Sequence, residues 1–303
     1  MSRRRNEDES VIKAAKPLLV TGMHRSGSTW VGRTLAAAPE VFYVHEPLNP
    51  DFAPHYLEQP DLPYYWKVTE AHEPRVLPAF QRLLSGRFPR IDARFFRPER
   101  RFISRFPQAM TFRWAAFQQK RFLIKDPFML FNVEWFEQRF GGRVVLVTRS
   151  PLGFVTSLKA RGWTFDFRHF TRQSALMDGP LVAHREAIER AAAEPPDIIE
   201  QGCLLWKVLD ARIQALVQAN PQRILSSHET LCRDPEAAFR PLFDRLDLSW
   251  SGRTRSFLRK GGQAAFTPSV PSGEEQDSAF DTRWAQRLTE AETTRIREAT
   301  ASG

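Results

Sequence analysis

Short apolar runs recur along the chain, and most of them end at a turn signal or a polar residue. Segments with helical character lie between them, at 30–38, 132–140 and 202–219. Continuous apolar strands that alternate with helices indicate a parallel sheet covered on both faces. We therefore expect an α/β fold in which a central parallel sheet is flanked by helices. The predicted strands are 18–20, 41–44, 122–124, 144–147 and 224–225.

Capping residues mark two helix starts. Asp234 followed by Pro235 has the pattern of an N-cap and a first-turn proline, which predicts a helix through Arg245. Thr289 and Glu292 form a capping-box pattern, which predicts a final amphipathic helix. The segment 261–282 has few apolar residues and several Gly, Pro and Ser, so we expect a loop there.

The segment 51–120 differs from the rest because it is rich in Pro, aromatic residues and Arg, as at 94–97 and 100–105. It is longer than a normal connection between two elements. We predict a helical, aromatic and Arg-rich insert that forms part of an acceptor site or a lid. The alternative is a solvated, partly helical cover. Residues 1–15 are expected to form a disordered tail, and 16–303 a single domain.

The composition is that of a folded, soluble protein. The 303 residues are 42% hydrophobic and 26% charged, which is ordinary for a globular chain. No run approaches the roughly 18 apolar residues of a membrane helix. The N-terminus lacks the apolar core of a signal peptide, so we expect a cytoplasmic protein. Two Cys and seven scattered His predict neither a disulfide framework nor a metal site.

The chain is basic. Lys and Arg number 44 against 35 Asp and Glu, which gives a formal net charge of +9. Arg predominates, and its planar guanidinium suits phosphates, sulfates and carboxylates. Nucleic acid is the alternative partner, but the chain has no zinc-finger spacing, no RNP-like motif and no clear helix-turn-helix pattern. A polyanionic small molecule explains the charge equally well, and we do not expect a nucleic-acid partner.

Polar residues follow the predicted strands. Arg25, Glu46, Lys125 and Arg149 each come at or just after the end of an apolar run. Ligands of open α/β sheets bind at the carboxyl ends of the strands. We therefore expect these four side chains at one site.

The first strand leads into a small-residue loop and then a helix, within residues 17–35. In this geometry free backbone N–H groups and the helix dipole converge on an anion. A triphosphate-binding P-loop needs Gly, four residues, and then Gly-Lys-Ser/Thr. Here Gly22 is followed by Gly27 and Ser28 without the Lys, and Arg25 supplies the positive charge instead. A kinase or ATPase is therefore disfavoured.

Two motifs together resemble those of the sulfotransferases that use 3′-phosphoadenylyl sulfate (PAPS). Residues 21–30, TGMHRSGSTW, look like the 5′-phosphosulfate loop of that family. Arg149 at a strand end, followed eight residues later by Ser157, resembles the motif that holds the 3′-phosphate. Further similarity lies at 125–128, Arg161 and 231–236, so the resemblance covers most of the chain. It implies the P-loop-like sulfotransferase fold, PAPS as cosubstrate, 3′-phosphoadenosine 5′-phosphate (PAP) as product, and no metal.

The resemblance also implies catalytic roles. The tyrosylprotein type has a Glu twenty-one residues after the loop Arg, and Glu46 stands there relative to Arg25. Its Lys-Asp-Pro-Phe segment matches Lys125, whereas the His of the cytosolic small-molecule type is missing. Glu46 is the predicted base, and Arg25 and Lys125 the predicted stabilising cations. The implied nucleotide contacts are His24, Arg25, Ser26, Gly27, Ser28, Thr29, Trp30, Arg149, Ser157 and Arg161.

Each role has a structural alternative. Glu46 would then cap a turn or pair with an Arg, and Lys125 would pair with Asp126. His45 is a rival base, but on an extended segment it faces away from its neighbour Glu46. The family often has a Tyr-Glu pair near 228–229, where this chain has His228 and Glu229. Residues 259–261 hint weakly at an Arg-Lys-Gly loop.

The predicted activity is transfer of a sulfonate from PAPS to an acceptor hydroxyl. A glycan or glycolipid hydroxyl is the first expectation, a small metabolite the second, and a peptide tyrosine the third. The basic insert would tolerate an acidic acceptor. The alternatives are a P-loop kinase that acts on a small alcohol, and a non-catalytic protein that binds anions or nucleic acid through the Arg-rich insert.

Overall fold

A single parallel sheet organises the chain. The computed structural model describes residues 16–51, 56–57, 61–87, 105–259 and 288–301. Within them five strands lie in the order β2-β3-β1-β4-β5, and every pairing is parallel. The prediction of a parallel α/β sheet is confirmed. The strands are β1 Leu18–Gly22, β2 Val41–His45, β3 Arg121–Lys125, β4 Arg143–Thr148 and β5 Ile224–Ser227.

Helices connect and cover the strands. Short 3₁₀ turns lie at Pro127–Asn132 and Val182–His184. The α-helices of the described part are α1 Ser28–Leu35, α2 Glu73–Leu84, α3 Arg105–Phe117, α4 Val133–Phe140, α5 Pro151–Ala160, α6 Arg168–Thr171, α7 Ser174–Met177, α8 Arg185–Ala193, α9 Ile198–Ala219, α10 His228–Arg233, α11 Pro235–Leu246, α12 Gly252–Arg259 and α13 Glu290–Thr300.

The two faces of the sheet bury two separate cores, because successive strand side chains point to opposite faces. Leu19, Ile124 and Leu146 belong to the larger core, with residues of α4, α5, α9 and α13. Val20 and Val147 belong to the smaller core, with residues of α1, α11 and α12. Double coverage explains why the central strands β3, β1 and β4 are buried at consecutive positions.

Helix starts differ from the sequence-based expectation by a few residues. Helix α9 begins at Ile198 rather than 202, because the Asp197 side chain accepts hydrogen bonds from the N–H groups of Ile199 and Glu200. Helix α1 begins at Ser28, two residues before the predicted start, and its last residue is Leu35. Residues 36–38, predicted as helix, form a turn.

The insert contains α2 and α3, so its helical character agrees with the structure. Its part in an acceptor site or lid stays a prediction. The expectations for 1–15, 94–97, 100–104 and 261–282 fall outside the described residues. Within the part of the chain that is described, no helix combines the length and apolarity needed to cross a bilayer.

Both predicted caps are present. The Asp234 side chain accepts a hydrogen bond from the N–H of Ala237 and starts α11. At α13 the Thr289 side chain accepts from the N–H of Glu292, whose carboxylate accepts from the N–H of Thr289. Helix α13 packs on α5 and α9 through the fully buried Ile296.

Replacing Thr289 by alanine is expected to lower the free energy of unfolding by about 1 kcal/mol, because α13 loses its N-cap acceptor. Urea unfolding monitored by circular dichroism measures the change. Thr294→Ala is the matched control, since Thr294 is an exposed residue inside the same helix, and its effect should stay within about 0.5 kcal/mol. Equal losses for the two variants would show that the cap does not stabilise this helix.

Candidate functional site

The four polar residues predicted to share a site lie along one edge of the sheet. Strands β2, β3, β1 and β4 are neighbours in that order, so their carboxyl ends are contiguous. On one side of this edge the Lys125 ammonium forms an ion pair with the Glu46 carboxylate. On the other side an Arg149 N–H donates to the Arg25 carbonyl oxygen at 2.8 Å. The edge therefore has a carboxylate–ammonium half and a guanidinium half.

Two glycines shape the loop between β1 and α1. Gly22 has φ +141°, and a Cβ there would lie 2.0 Å from the Val147 carbonyl oxygen, so only glycine lets β1 run this close to β4. Gly27 has φ +82° and precedes α1, which starts without a side-chain cap. A helix start of this kind presents backbone N–H groups to an anion.

Side chains in this loop and at the start of α1 make contacts within the protein. The Ser26 hydroxyl donates to the Met23 carbonyl and closes the turn. The Trp30 indole packs edge-on against Phe239, with ring centroids 5.0 Å apart. The predicted nucleotide contacts of Ser26 and Trp30 therefore rest on their backbone groups. Arg25 is half-buried, and its Nε donates to the Ser157 hydroxyl at 3.3 Å.

The second predicted nucleotide motif surrounds the start of α5. The Trp206 indole N–H donates to the Arg149 carbonyl oxygen at 2.9 Å and holds the end of β4 in place. Ser157 is buried one and a half turns into α5 and lies beside Arg25, which brings the two motifs together. Arg161 lies at the exposed C-terminal end of α5.

The carboxylate–ammonium half is buried. Lys125 is fully buried and Glu46 is 4% exposed. The second oxygen of the Glu46 carboxylate accepts from the Asn49 amide at 2.5 Å. Helix α1 approaches closely here, since a Cβ on Gly32 would lie 3.0 Å from Cβ and Cγ of Lys125. A buried charge needs such partners to stay ionised.

The Asp126 carboxylate accepts hydrogen bonds from two backbone N–H groups. The donors are the N–H of Leu48 at 2.6 Å and the N–H of Phe128 at 2.9 Å. Burial, with the nearby Glu46 carboxylate, raises the pKa of Asp126. Lys125 forms an ion pair with Glu46, while Asp126 ties the turn after β2 to the turn after β3.

His45 lies closer to Glu46 than an extended segment allows. Glu46 has φ +40°, which breaks the alternation of the strand. As a result, Nε2 of His45 is 4.0 Å from Oε2 of Glu46, and the expectation that the two face opposite ways was wrong. Burial, with the Lys125 and Arg33 cations, lowers the pKa of His45, so its imidazole is neutral at pH 7. His45 remains the alternative base.

Backbone strain is concentrated at this edge. Among the described residues, three non-glycine residues with positive φ lie here: Arg25 at 60°, Glu46 at 40° and Tyr65 at 57°. Such conformations cost on the order of 1–3 kcal/mol each and persist where surrounding contacts impose them.

The His24 side chain, on the loop between β1 and α1, packs into an aromatic cluster. Its Nδ1 lies 2.6 Å from the Tyr65 hydroxyl, and its ring lies 4.3 Å from that of Trp163 between centroids. Burial, with the nearby Arg25 cation, lowers the pKa of His24 to about 3, so the ring is neutral. Tyr65 comes from the insert, and no sequence pattern links it to His24.

Further site residues were missed by sequence reasoning. Asn49 lies three residues after Glu46, in the same turn, and carried no motif. Glu229 accepts from the N–H of Ser150 at 2.9 Å, and so joins α10 to the start of α5. The His228 ring lies against Gly27, where a Cβ would be 2.7 Å from its Nδ1. The departure from the Tyr-Glu pattern was the available signal for His228 and Glu229.

The described part of the chain has no candidate metal centre. Among the side chains that are described, no three of His, Cys, Asp or Glu come together as they would around a metal ion. The expectation of metal-free chemistry stays a prediction.

A family model described as "Sulfotransferase family" matches residues 17–252, which is most of the chain and includes every site residue discussed above. The chain belongs to the sulfotransferase family. Among curated protein sequences none matches this sulfotransferase significantly.

Solved structures with a similar chain trace include three sulfotransferases. Sulfotransferase STF9 from Mycobacterium avium is 15% identical with a TM-score of 0.45, over 98% of this chain and 78% of that one. The sulfotransferase domain of the curacin biosynthetic pathway is 12% identical with a TM-score of 0.48, over 95% and 98%. Mouse sulfotransferase SULT7A1, complexed with PAP, is 10% identical with a TM-score of 0.46, over 94% and 82%.

Proposed function

We propose that this sulfotransferase transfers the sulfonate of PAPS to an acceptor hydroxyl, with Glu46 as the general base. The observation that carries the proposal is the buried Glu46–Lys125 pair beside the Arg25 loop. A base and a cation are thereby held together at the carboxyl edge of the sheet. Family membership supports the reaction class, and the family's chemistry supplies the cosubstrate.

The groups around the loop suit a nucleotide with two phosphate positions. Helix α1 begins without a side-chain cap, and Arg25 and Ser157 lie beside that start. Arg149 contacts the loop from the end of β4. These groups are hydrogen-bond donors, two of them cationic, which is the donor set that phosphates prefer. We assign the 5′-phosphosulfate to residues 24–30, and the 3′-phosphate to Arg149 and Ser157, with Arg161 at the rim.

Bound PAPS would supply a sulfonate on a stable leaving group. Glu46 accepts the proton of the acceptor hydroxyl as the oxygen of that hydroxyl bonds to sulfur. Lys125 and Arg25 offset the negative charge that develops on the departing bridging oxygen. Asn49 orients the carboxylate by holding its second oxygen. Lys125 thus serves both ends of the reaction, because it pairs with the base and lies beside the loop.

Glycans, glycolipids and small metabolites are the proposed acceptors. Half-buried rings of Tyr64 and Trp163 lie 6.3 Å apart between centroids, next to the buried Phe128. Burial, with the Asp51 carboxylate and to a smaller extent the Glu46 carboxylate, raises the pKa of Tyr64. Partly exposed aromatic rings near the base suit a ring-shaped acceptor.

Incubation with ³⁵S-labelled PAPS and an acceptor panel, in a chelating buffer, tests the reaction. Labelled acceptor and PAP should appear in equal amounts. A parallel calorimetric titration should show PAP binding more tightly than adenosine 5′-phosphate, whatever the acceptor. Failure to bind PAP would refute the proposal. Turnover of ATP in the presence of Mg²⁺, without turnover of PAPS, would also refute it.

A further inference from the structure

The hydrogen bonds of Tyr65 determine which nitrogen of His24 carries its proton. The Tyr65 oxygen accepts weakly from the backbone N–H of His24 at 3.4 Å. Burial raises the pKa of Tyr65, so the phenol keeps its own proton. Nδ1 of His24 lies 2.6 Å from that oxygen, and we assign it as the acceptor of this proton.

The other nitrogen of the ring is then a donor. A neutral imidazole has one N–H, and the low pKa of His24 keeps the ring neutral. With Nδ1 accepting from Tyr65, the hydrogen is on Nε2. This atom is buried and has no hydrogen-bond partner among the described residues. An unsatisfied buried donor costs about 1–3 kcal/mol.

Aromatic rings surround this donor. The His24 ring contacts Phe128, Phe154 and Trp163, with centroids 6.2, 5.2 and 4.3 Å away. A phenylalanine would satisfy such an environment without burying a polar atom. Instead the chain holds Tyr65 at φ 57° to anchor the imidazole. The unsatisfied donor and the strained anchor together indicate a ligand.

The position of His24 narrows the choice of ligand. The next residue is Arg25, whose cation acts on the His24 ring electrostatically. The His24 ring also stacks on Phe128, three residues after Lys125 in the carboxylate–ammonium half of the site. His24 itself belongs to the loop assigned to the 5′-phosphosulfate. Its side chain therefore joins that loop to the segment that carries the Lys125 cation.

We propose that the Nε2–H group of His24 donates a hydrogen bond to an oxygen of the PAPS sulfonate, and that Tyr65 is its positioning residue. The proposal rests on the proposed function. PAP lacks the sulfonate and leaves the donor unsatisfied. His24 therefore favours the cosubstrate over the product, which promotes release of PAP after transfer.

Titration calorimetry without acceptor tests this contact, because it needs no knowledge of the acceptor. In His24→Phe the dissociation constant of PAPS should rise about tenfold, while that of PAP changes less than about twofold. Tyr65→Phe should produce a smaller rise for PAPS alone, because Nδ1 is no longer held. His24→Gln keeps an N–H donor and should restore part of the preference. Thermal unfolding of each variant shows whether it is folded.

His169→Phe is the matched control. His169 is a half-buried histidine of the same aromatic cluster, and its ring lies 5.0 Å from that of Tyr64 between centroids. Its loss should leave both dissociation constants unchanged. Equal changes for PAPS and PAP in His24→Phe, or none, would overturn the inference. If wild-type protein binds neither nucleotide, the proposed function itself fails, which is a separate result.

Discussion

Replacing Glu46 by glutamine is expected to lower kcat by on the order of a thousandfold, while the dissociation constant of PAP stays within about twofold of wild type. The amide cannot accept the proton of the acceptor hydroxyl. Nucleotide affinity is preserved because the donors assigned to the phosphates lie around Arg25 and Arg149, on the other half of the edge. Single-turnover transfer from labelled PAPS and calorimetry with PAP measure the two quantities.

The substitution also removes the charge partner of the fully buried Lys125, so thermal unfolding must accompany the kinetics. Glu229→Gln is the matched control. The Glu229 carboxylate accepts a hydrogen bond from the N–H of Ser150 at the start of α5, in the guanidinium half of the edge. Its loss should weaken PAP binding and leave the chemical step nearly unchanged. Turnover of Glu46→Gln near the wild-type rate would refute Glu46 as the base and point to His45, 4.0 Å away.

Replacing Arg149 by alanine is expected to weaken PAP binding about a hundredfold and adenosine 5′-phosphate binding no more than about threefold. The difference between the two ligands is the 3′-phosphate that Arg149 is proposed to hold. A small loss for both is expected, because Arg149 also donates to the Arg25 carbonyl and steadies the loop. The ratio of the two losses is therefore the diagnostic quantity, measured by calorimetry.

Arg143→Ala is the control for this experiment. Arg143 is the first residue of β4, the strand that precedes Arg149. It pairs with Asp247 at the amino-terminal end of that strand. The variant removes the same charge from the chain, so it tests whether net charge alone governs affinity. Arg143→Ala should change neither dissociation constant. Equal losses for the two nucleotides in Arg149→Ala would contradict the assignment of the 3′-phosphate.

The sheet was predictable because its three central strands, β3, β1 and β4, are buried on both faces. Such strands are continuously apolar, so they appear in the sequence as separate runs, and each observed strand extends its run by one or two residues. Helix starts were less predictable where the decisive signal was one side chain. Asp197 moves the start of α9 by four residues, because its carboxylate accepts from two N–H groups of the first turn.

The site was predictable in position and less so in its contacts. Arg25, Glu46, Lys125 and Arg149 lie at the strand ends where the apolar runs predicted them, because parallel strands bring their carboxyl ends to one edge. Which of them pair was not predictable. The ion pair between Glu46 and Lys125 depends on β2 lying next to β3, and that order is not encoded in either segment alone.

By itself, the sequence determined the class of fold, the edge at which the candidate site lies, and the family to which the loop and strand-end motifs belong. These follow from local patterns, since burial, helix capping and motif spacing act over a few residues. Only the tertiary structure decided the positive φ of Glu46 that brings His45 beside it, and the bond from Tyr65 to His24. Both depend on contacts between distant segments, because a strained backbone and a buried donor persist only where packing from elsewhere in the chain imposes them.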